Sequence, residues 1–336
     1  MKRAPKEGGS ASLAALVLVV AFTAICAGAC LMLGALGQAL SRAETQRKGE
    51  AACEAALAAW IELYHAKVGE ADSPSDEYAL PGTLAGAAVS VEDASSRLNP
   101  RLASRDLIAA LGLESLAAGA NLDSFSSALE DILAGRPPRA GLDGAIPPAE
   151  LLTSFSYADV NTSSLEAIEG VYARRSGNGA AASALAARLS TTSGAARRIA
   201  PDQLESLLAP DYALVFPLIS VAPPYNVNFV PPALLEALLG LPGFGIADHE
   251  DRARLLLASR AGGKINSDRL VAALGMAREN PVYLYLGTKT WFWRLRIVAD
   301  GARLEAVLAR IPPTRGTELE AERSPRLRLV YRRFGK

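Results

Sequence analysis

Residues that could carry acid–base, nucleophilic or metal chemistry are sparse in this chain. It holds two histidines, His65 and His249, and each is typical of a solvated helix residue. The sequence contains no Gly-x-Ser-x-Gly, His-Glu-x-x-His, Walker or Cys-x-x-Cys pattern. We therefore expect no enzymatic activity, no catalytic residue and no assigned metal ligand.

The cysteines and the adjacent acids do not change that expectation. Cys26 and Cys30 lie four residues apart in an apolar run, on one helix face, and Cys53 stands alone beyond it. Acidic pairs occur at 92–93 and 130–131, but neighbouring side chains on a strand or helix point apart. Their spacing specifies no calcium loop, so no cofactor is expected from these residues.

A long segment without charged residues runs from Gly8 to Ser41, and a short basic tail precedes it. It exceeds the ~20 residues that span a bilayer and the ~7–15 apolar residues of a cleaved signal. Helix-forming sequence continues beyond it, which predicts one helix from Ser10 to about Lys67. The amphipathic second half presents an apolar side of Ala52, Ala55, Ala56, Ala59, Trp60 and Leu63.

The whole chain has 336 residues, enough for about two domains, and its 35 basic residues balance 35 acidic ones. The overall charge therefore gives no attraction to nucleic acid or anionic lipid. Basic residues flank the apolar segment almost equally, with Lys2, Arg3 and Lys6 before it and Arg42, Arg47 and Lys48 after it. The short N-terminal tail favours a cytoplasmic N-terminus with the rest of the chain outside. A plain single-pass anchor is the alternative.

The middle of the chain repeats a pattern of an apolar residue, Asn, a Leu-rich stretch and Gly. Copies start at Leu98, Val160, Val227 and Ile265. Asn can cap a helix start and Gly can end a helix in a left-handed turn, so residues 98–276 are predicted to form short helices. Chance recurrence in an Ala-rich sequence is the alternative. Residues 136–148 and 174–182 are predicted to be mobile loops.

The C-terminal part alternates with the period of a strand. Trp291, Trp293, Leu295 and Ile297 share one face, Asp300-Gly301 predicts a hairpin turn, and a further strand follows from Arg326. Additional strand candidates are Glu77–Leu80, Ala87–Val91 and Val282–Leu286. Together they predict a small antiparallel sheet whose buried face is covered by the amphipathic half of the N-terminal helix.

Residues 232–260 resemble a helix-hairpin-helix element, with helices at Pro232–Leu239 and Asp248–Arg260 around a Gly-containing turn. DNA-binding members present backbone N–H groups of this turn to a phosphate. Here Asp248, Glu250 and Asp251 follow the turn and would repel a phosphate. We expect a packing hairpin and no nucleic acid partner; a membrane-anchored DNA-binding protein of the competence type is the alternative.

The N-terminus resembles the leaders cut by prepilin peptidase, in which a short basic stretch and a Gly precede a retained apolar helix. The matching bond is Gly9–Ser10. Most pilins and pseudopilins carry Glu at the fifth mature position, which is Ala14 in this chain.

Both ends of the chain resemble the minor pseudopilins of type II secretion systems, specifically the family of general secretion pathway protein K. The matching features are the leader, the apolar helix, the "SRLNP" stretch, the "NVNFVPPALLEALLGLPG" block and the Trp-containing strands. Within that block, Phe229-Val230-Pro231 departs from the family pattern.

The resemblance implies an α+β pseudopilin fold, a long transmembrane helix packed on an antiparallel sheet with a large all-α inserted domain. It also implies a structural role at the tip of a pseudopilus that supports protein export across the outer membrane. The implied partners are other minor pseudopilins, prepilin peptidase, the inner membrane and secreted substrates. Some members bind calcium in the insert, and no ligand is assigned here.

These features divide the chain into five parts. Residues 1–9 form the leader, 10–40 the transmembrane helix, and 41–98 the amphipathic helix with the first strands. Residues 99–282 form the helical inserted domain and 283–336 the C-terminal strands. The expected location is the inner membrane, with the C-terminal domain in the periplasm; a plain membrane-anchored periplasmic interaction domain is the further alternative.

Overall fold

The computed structural model describes residues 8–113, 151–191, 197–216, 218–312 and 325–335, with side chains from Leu13 onward. Within these residues the helices are α1 Gly8–Lys67, α2 Arg105–Ala110, α3 Leu165–Ser176, α4 Gly179–Ser190, α5 Pro201–Leu208, α6 Tyr212–Val215, α7 Pro232–Leu239, α8 His249–Ala261, α9 Ser267–Leu274 and α10 Val282–Tyr285. The strands are β1 Gly82–Leu84, β2 Ala87–Asp93, β3 Ala158–Asp159, β4 Ile219–Ser220, β5 Tyr225–Asn226, β6 Leu286–Gly287, β7 Phe292–Ala299, β8 Ala302–Arg310 and β9 Leu327–Gly335.

One five-stranded antiparallel sheet organises the chain, with spatial order β1-β2-β7-β8-β9. Strands β2 and β7 are neighbours, with Asp93 opposite Trp293, although about 200 residues separate them in sequence. The helical region is therefore an insertion between two adjacent strands of one sheet. The predicted α+β fold class is confirmed, and the insertion also contains the short strands β3 to β6.

Helix α1 covers one face of this sheet. Its buried residues Cys53, Leu57, Trp60 and Tyr64 recur at helical spacing and face the side chains of β7 and β8. At Gly49 the helix comes so close to the β7–β8 turn that a Cβ there would lie 2.6 Å from the Ala299 carbonyl oxygen. A glycine is thus required for this approach.

The predicted apolar side of this helix is confirmed in outline, with one error. Ala55 is exposed, whereas Ala56 and Trp60 are buried and the remaining predicted residues are partly buried. The cause is the 3.6-residue period, which places position 55 on the flank opposite the stripe through 53, 57, 60 and 64.

The predicted hairpin is confirmed at Asp300-Gly301, where both residues have left-handed φ values of 46° and 81°. Trp293, Leu295 and Ile297 share the buried face as predicted. Trp291 was wrongly placed with them: it precedes β7 and packs in a different cluster with Phe292 on the other side of the sheet.

Two strand predictions are wrong. Residues 77–79 form a 3₁₀ turn because Tyr78 turns inward and donates its hydroxyl to Asp72, and the first strand lies instead at Gly82–Leu84. Residues 282–285 form helix α10, which starts where the Asn280 side chain accepts from the Val282 N–H, and only Leu286 joins a strand.

The predicted mobile loop at 174–182 is also wrong. Helix α3 ends at Gly177, which has a left-handed φ of 71°, and Asn178 caps helix α4 by accepting from the Ala181 N–H. The two-residue connection therefore ends one helix and caps the next. The other predicted loop, 136–148, lies outside the described residues.

Much of the insertion consists of two copies of one structural unit. In the first copy helices α3 to α6 separate β3 from β4, and in the second α7 to α10 separate β5 from β6; each strand pair is parallel. Equivalent residues lie about 67 positions apart, so Asp159-Val160-Asn161 corresponds to Asn226-Val227-Asn228. Two of the four predicted repeats are therefore copies in three dimensions.

The same hydrogen bonds recur in both copies. At the first position, Oδ1 of Asp159 or Asn226 accepts from the backbone N–H two residues further on. At the third position, an asparagine amide exchanges two hydrogen bonds of 2.7–3.1 Å with the backbone of a distant isoleucine: Asn161 with Ile199, and Asn228 with Ile265.

The predicted helix-capping role of the repeated asparagines therefore holds for Asn266, which caps α9, but not for the other copies. Serine caps follow Asn99 and Asn161, at Ser104 and Ser164, and prolines begin α7. The predicted left-handed glycines occur at positions 112 and 275, whereas position 170 lies within a helix and position 240 has a right-handed conformation.

Truncation of Leu57 tests the packing of α1 on the sheet. Leu57→Ala removes a buried side chain, and we expect about 2–5 kcal/mol less unfolding free energy. The matched control Leu255→Ala removes a side chain that is 48% exposed, and we expect a change within about 0.5 kcal/mol.

The measurement is urea unfolding of the full chain in detergent micelles, followed by tryptophan fluorescence. All three tryptophans lie beside the sheet, so the signal reports on this layer. Equal losses for the two variants would show that the helix does not pack as described.

Candidate functional site

The first half of α1 forms a bare apolar stem, defined here as residues 13–40. Its large apolar side chains are between 57% and 78% exposed, and no part of its apolar window is buried by the rest of the chain. It has the length and composition of a membrane-spanning helix. Exposing such a surface to water is unfavourable on every face, so lipid or other apolar helices must cover it.

The stem continues without a break into the part of α1 that packs on the sheet. The helix is 60 residues long, roughly 90 Å at about 1.5 Å per residue. Trp60 is its anchor: its indole N–H donates to the Tyr78 carbonyl at 2.7 Å, and its ring stacks on Tyr64 and meets Trp293 edge-on. One rigid element therefore joins the bare surface to the folded body.

The predicted site residues fall along this element. Gly9 and Ser10 lie in the helical backbone at the start of α1, and Ala14 is an exposed stem position. His65 is exposed near the C-terminal end of the same helix. Cleavage at Gly9–Ser10 remains a prediction.

A buried polar junction, defined as Asp72, Asp93, Asn226 and Thr290, connects the sheet to the insertion. Thr290 donates its N–H to Asp72 at 2.7 Å and its hydroxyl to Asp93 at 2.8 Å. Asn226 donates to the Asp72 carbonyl at 3.0 Å and contacts the Thr290 hydroxyl at 3.1 Å. Four separate stretches of the chain are thereby tied at one point.

The carboxylates of the junction are held by donors on several sides. Asp93 accepts from the N–H and hydroxyl groups of Ser95 and Ser96, and Asp72 accepts from Tyr78 and, at 3.3 Å, from Arg310. Burial raises the pKa of both carboxyls, and the hydrogen bonds oppose that shift. Such a fully satisfied network fixes the geometry of the elements that meet there.

The junction was not predicted from the sequence. Positions 92–93 form an adjacent acidic pair whose side chains point apart as expected: Glu92 pairs with Arg294 at 2.9 Å, while Asp93 enters the junction. The available signal was the series Asp93-Ala94-Ser95-Ser96, in which hydroxyls follow a carboxylate at turn spacing. Residues 130–131 lie outside the described part of the chain.

The hairpin between α7 and α8 packs inside the insertion. Phe244 is buried against Tyr285, and the Asn280 amide donates to the Phe244 carbonyl at 3.0 Å. In the first turns of α8, Arg252 pairs with Asp248 and Arg254 with Asp251. These ion pairs offset the positive charges of the two arginines.

The candidate metal ligands do not converge. Among the residues that the structure describes, no group of three or more His, Cys, Asp or Glu side chains could hold a metal ion. Cys26 and Cys30 lie exposed on the stem, while Cys53 is buried under the sheet.

No family model and no curated protein matches the sequence. Among solved structures, a chain from "The Crystal Structure of the GspK-GspI-GspJ complex from enterotoxigenic Escherichia coli Type 2 Secretion System" is similar, at 12% identity. The match covers 89% of this chain and 99% of that chain, with a TM-score of 0.36.

The buried carboxyl of Asp159 should make the stability of the folded chain depend on pH. Its Oδ1 accepts three hydrogen bonds from Asn161 and Thr162, while its buried Oδ2 has no partner. Burial raises the pKa of Asp159 to about 7, and a model-peptide aspartate titrates near 3.9. The folded state therefore binds the extra proton between about pH 4 and 7, so this group makes stability fall as pH rises through that range.

Asp159→Asn places in the first copy the residue that the second copy carries as Asn226. The amide keeps the acceptor and has no proton to lose, so we expect the variant to be relatively more stable at pH 8 than at pH 5, compared with wild type. Urea midpoints of both proteins at the two pH values measure this difference. A pH-independent difference between them would contradict the shifted titration.

Proposed function

We propose that this chain is a minor pseudopilin of a type II secretion system, of the general secretion pathway protein K type. In this role it is a structural subunit without enzymatic activity, and it supports protein export across the outer membrane. The observation that carries the proposal is the continuity of α1, whose first half is bare and apolar and whose second half is fixed to the sheet.

The stem can exchange one apolar environment for another. In the inner membrane lipid covers all of its faces, and in a filament the apolar stems of other minor pseudopilins would cover them instead. Helices without charged side chains pack closely through van der Waals contact, and Gly28, Gly34 and Gly37 leave open space for a neighbour. The folded body follows the stem because α1 is one helix.

The insertion favours a terminal position in the filament. It adds two helical units between adjacent strands, and this bulk would obstruct repeated axial stacking. Ala14 agrees with this placement, because an acidic side chain at that position serves to pair with the N-terminal amine of an earlier neighbour. A subunit placed first has no such neighbour, and an unpaired carboxylate in the membrane costs roughly 2.5–3.5 kcal/mol.

The proposal includes removal of residues 1–9 by prepilin peptidase, with the C-terminal domain in the periplasm. N-terminal sequencing of the protein purified from cells with and without the peptidase tests it. We expect Ser10 as the first residue when the peptidase is present and the intact leader when it is absent.

Two variants sharpen this test. Gly9→Val should block cleavage because the residue before the cut bond must be small, whereas the matched control Gly8→Val leaves that residue in place and should still be cut. An intact leader in both strains, or a cut within the apolar stem, would contradict the proposal.

A further inference from the structure

Strand β9 forms one edge of the five-stranded sheet. It is nine residues long, β8 pairs with one of its sides, and among the described residues no strand pairs with the other side. The backbone N–H and C=O groups along that other side therefore have no strand partner. An edge of this kind is a template that another extended segment can complete by main-chain hydrogen bonds. We name this side of Leu327–Gly335 the β9 edge.

Three arginines of this region lie on the outer face of the sheet, away from α1. Register with β8 places Arg328 and Arg333 on that face, and Arg326 shares it because it lies two residues before Arg328. Among the described residues none of the three forms an ion pair, and Nε of Arg328 has no hydrogen-bond partner. The acid opposite Arg333 in register is Glu305, which already pairs with Arg294 at 3.3 Å. The positive charge beside the β9 edge is therefore not compensated.

The inner face of β9 is mainly apolar. Leu327 and Phe334 pack against the cluster under α1, and Leu329, on the same face, remains 44% exposed. The fourth arginine of this stretch, Arg332, also points inward and pairs with Glu54 of α1. A segment added at the β9 edge would thus meet unpaired arginines on one face and an exposed leucine on the other.

The arginines also distinguish a second copy of the chain from a different partner. Two β9 edges brought together would place arginines close to arginines, and like charges on paired strands destabilise the pairing. Opposite charges on paired strands stabilise it. The charge of the β9 edge therefore disfavours self-pairing and favours a strand that carries acidic residues.

From the open edge, the unpaired arginines and the exposed leucine we infer that the β9 edge binds an extended segment of a partner protein in which acidic and apolar residues alternate. Its backbone would add one strand to the sheet. Its acids would face Arg326, Arg328 and Arg333, and its apolar side chains would lie beside Leu329. The inference does not depend on cleavage of the leader or on membership of a filament.

Fluorescence anisotropy tests the inference with two labelled peptides. The acidic probe is Glu-Val-Glu-Ile-Glu-Val-Glu, the basic probe replaces each Glu by Lys, and the protein is the full chain in uncharged detergent micelles. Both probes carry the same apolar residues, so they enter micelles through the same apolar surface. We expect at least tenfold tighter binding of the acidic probe, with affinity falling as salt rises. Equal binding of the two probes would overturn the inference.

Backbone methylation separates strand addition from simple charge attraction. In an extended peptide the N–H groups of alternate residues point to opposite edges, so only one alternate set can reach the β9 edge. One form of the acidic probe is N-methylated at its two central glutamates, and the other form is N-methylated at its two valines. We expect the affinities of the two forms to differ at least tenfold. Equal affinities would show that the probe does not pair as a strand and would overturn the inference.

Variants locate the binding. Arg326→Glu and Arg333→Glu should each weaken binding of the acidic probe at least fivefold, and Arg326→Gln should weaken it less. The matched charge reversal Arg101→Glu changes an exposed arginine of the insertion and should alter the affinity less than twofold. Urea midpoints identify any variant that fails to fold. Equal effects of Arg326→Glu and Arg101→Glu would overturn the inference.

Two other occupants have distinct outcomes. If wild type self-associates and Arg326→Glu is monomeric by light scattering, the occupant is a second copy and the inference is wrong. Residues 313–324 of the chain itself contain Glu318, Glu320 and Glu322. If the acidic probe binds only after these three are changed to Gln, the chain's own segment is the occupant, which also overturns the inference.

Discussion

The rest of the structure depends on the packing of half of one helix against one sheet. Gly49 allows the α1 backbone to approach the β7–β8 turn, and Trp60 fixes the helix by its bond to Tyr78 and its contact with Trp293. Since the sheet covers only the second half of the helix, the stem is left bare and requires another apolar environment. One continuous helix connects the stem to the folded body.

The insertion is held to the sheet by the buried polar junction as well as by apolar packing, in which Tyr157 contacts Phe292 and Phe229 contacts Trp293. Asp72, Asp93, Asn226 and Thr290 meet where the chain leaves and re-enters the sheet, and hydrogen bonds connect them to one another. Apolar packing alone is tolerant of sliding, whereas a buried network with fixed donors and acceptors specifies one arrangement. The two helical units therefore have a defined position relative to the sheet and, with it, to α1.

The sequence predicted those features that follow from local pattern. The continuous helix, the alternating face of Trp293, Leu295 and Ile297 and the Asp300-Gly301 hairpin were all readable from hydrophobic period and turn chemistry. Tyr78 was mistaken for a strand residue because its buried partner, Asp72, is chosen by tertiary contact. Likewise Asn161 and Asn228 resemble helix caps locally, and only the fold shows that they bind the backbones of Ile199 and Ile265.

Spin-label accessibility along α1 in lipid vesicles can show whether one helix is shared between the membrane and the sheet. Single cysteines from 13 to 66 would be labelled in a chain whose Cys26, Cys30 and Cys53 are replaced by Ala. We expect oxygen accessibility on every face of the stem, followed by protection at helical spacing through 53, 57, 60 and 64. Two results would contradict a shared helix. One is a break in the helical pattern where the stem joins the second half of α1, and the other is water accessibility along the whole stem.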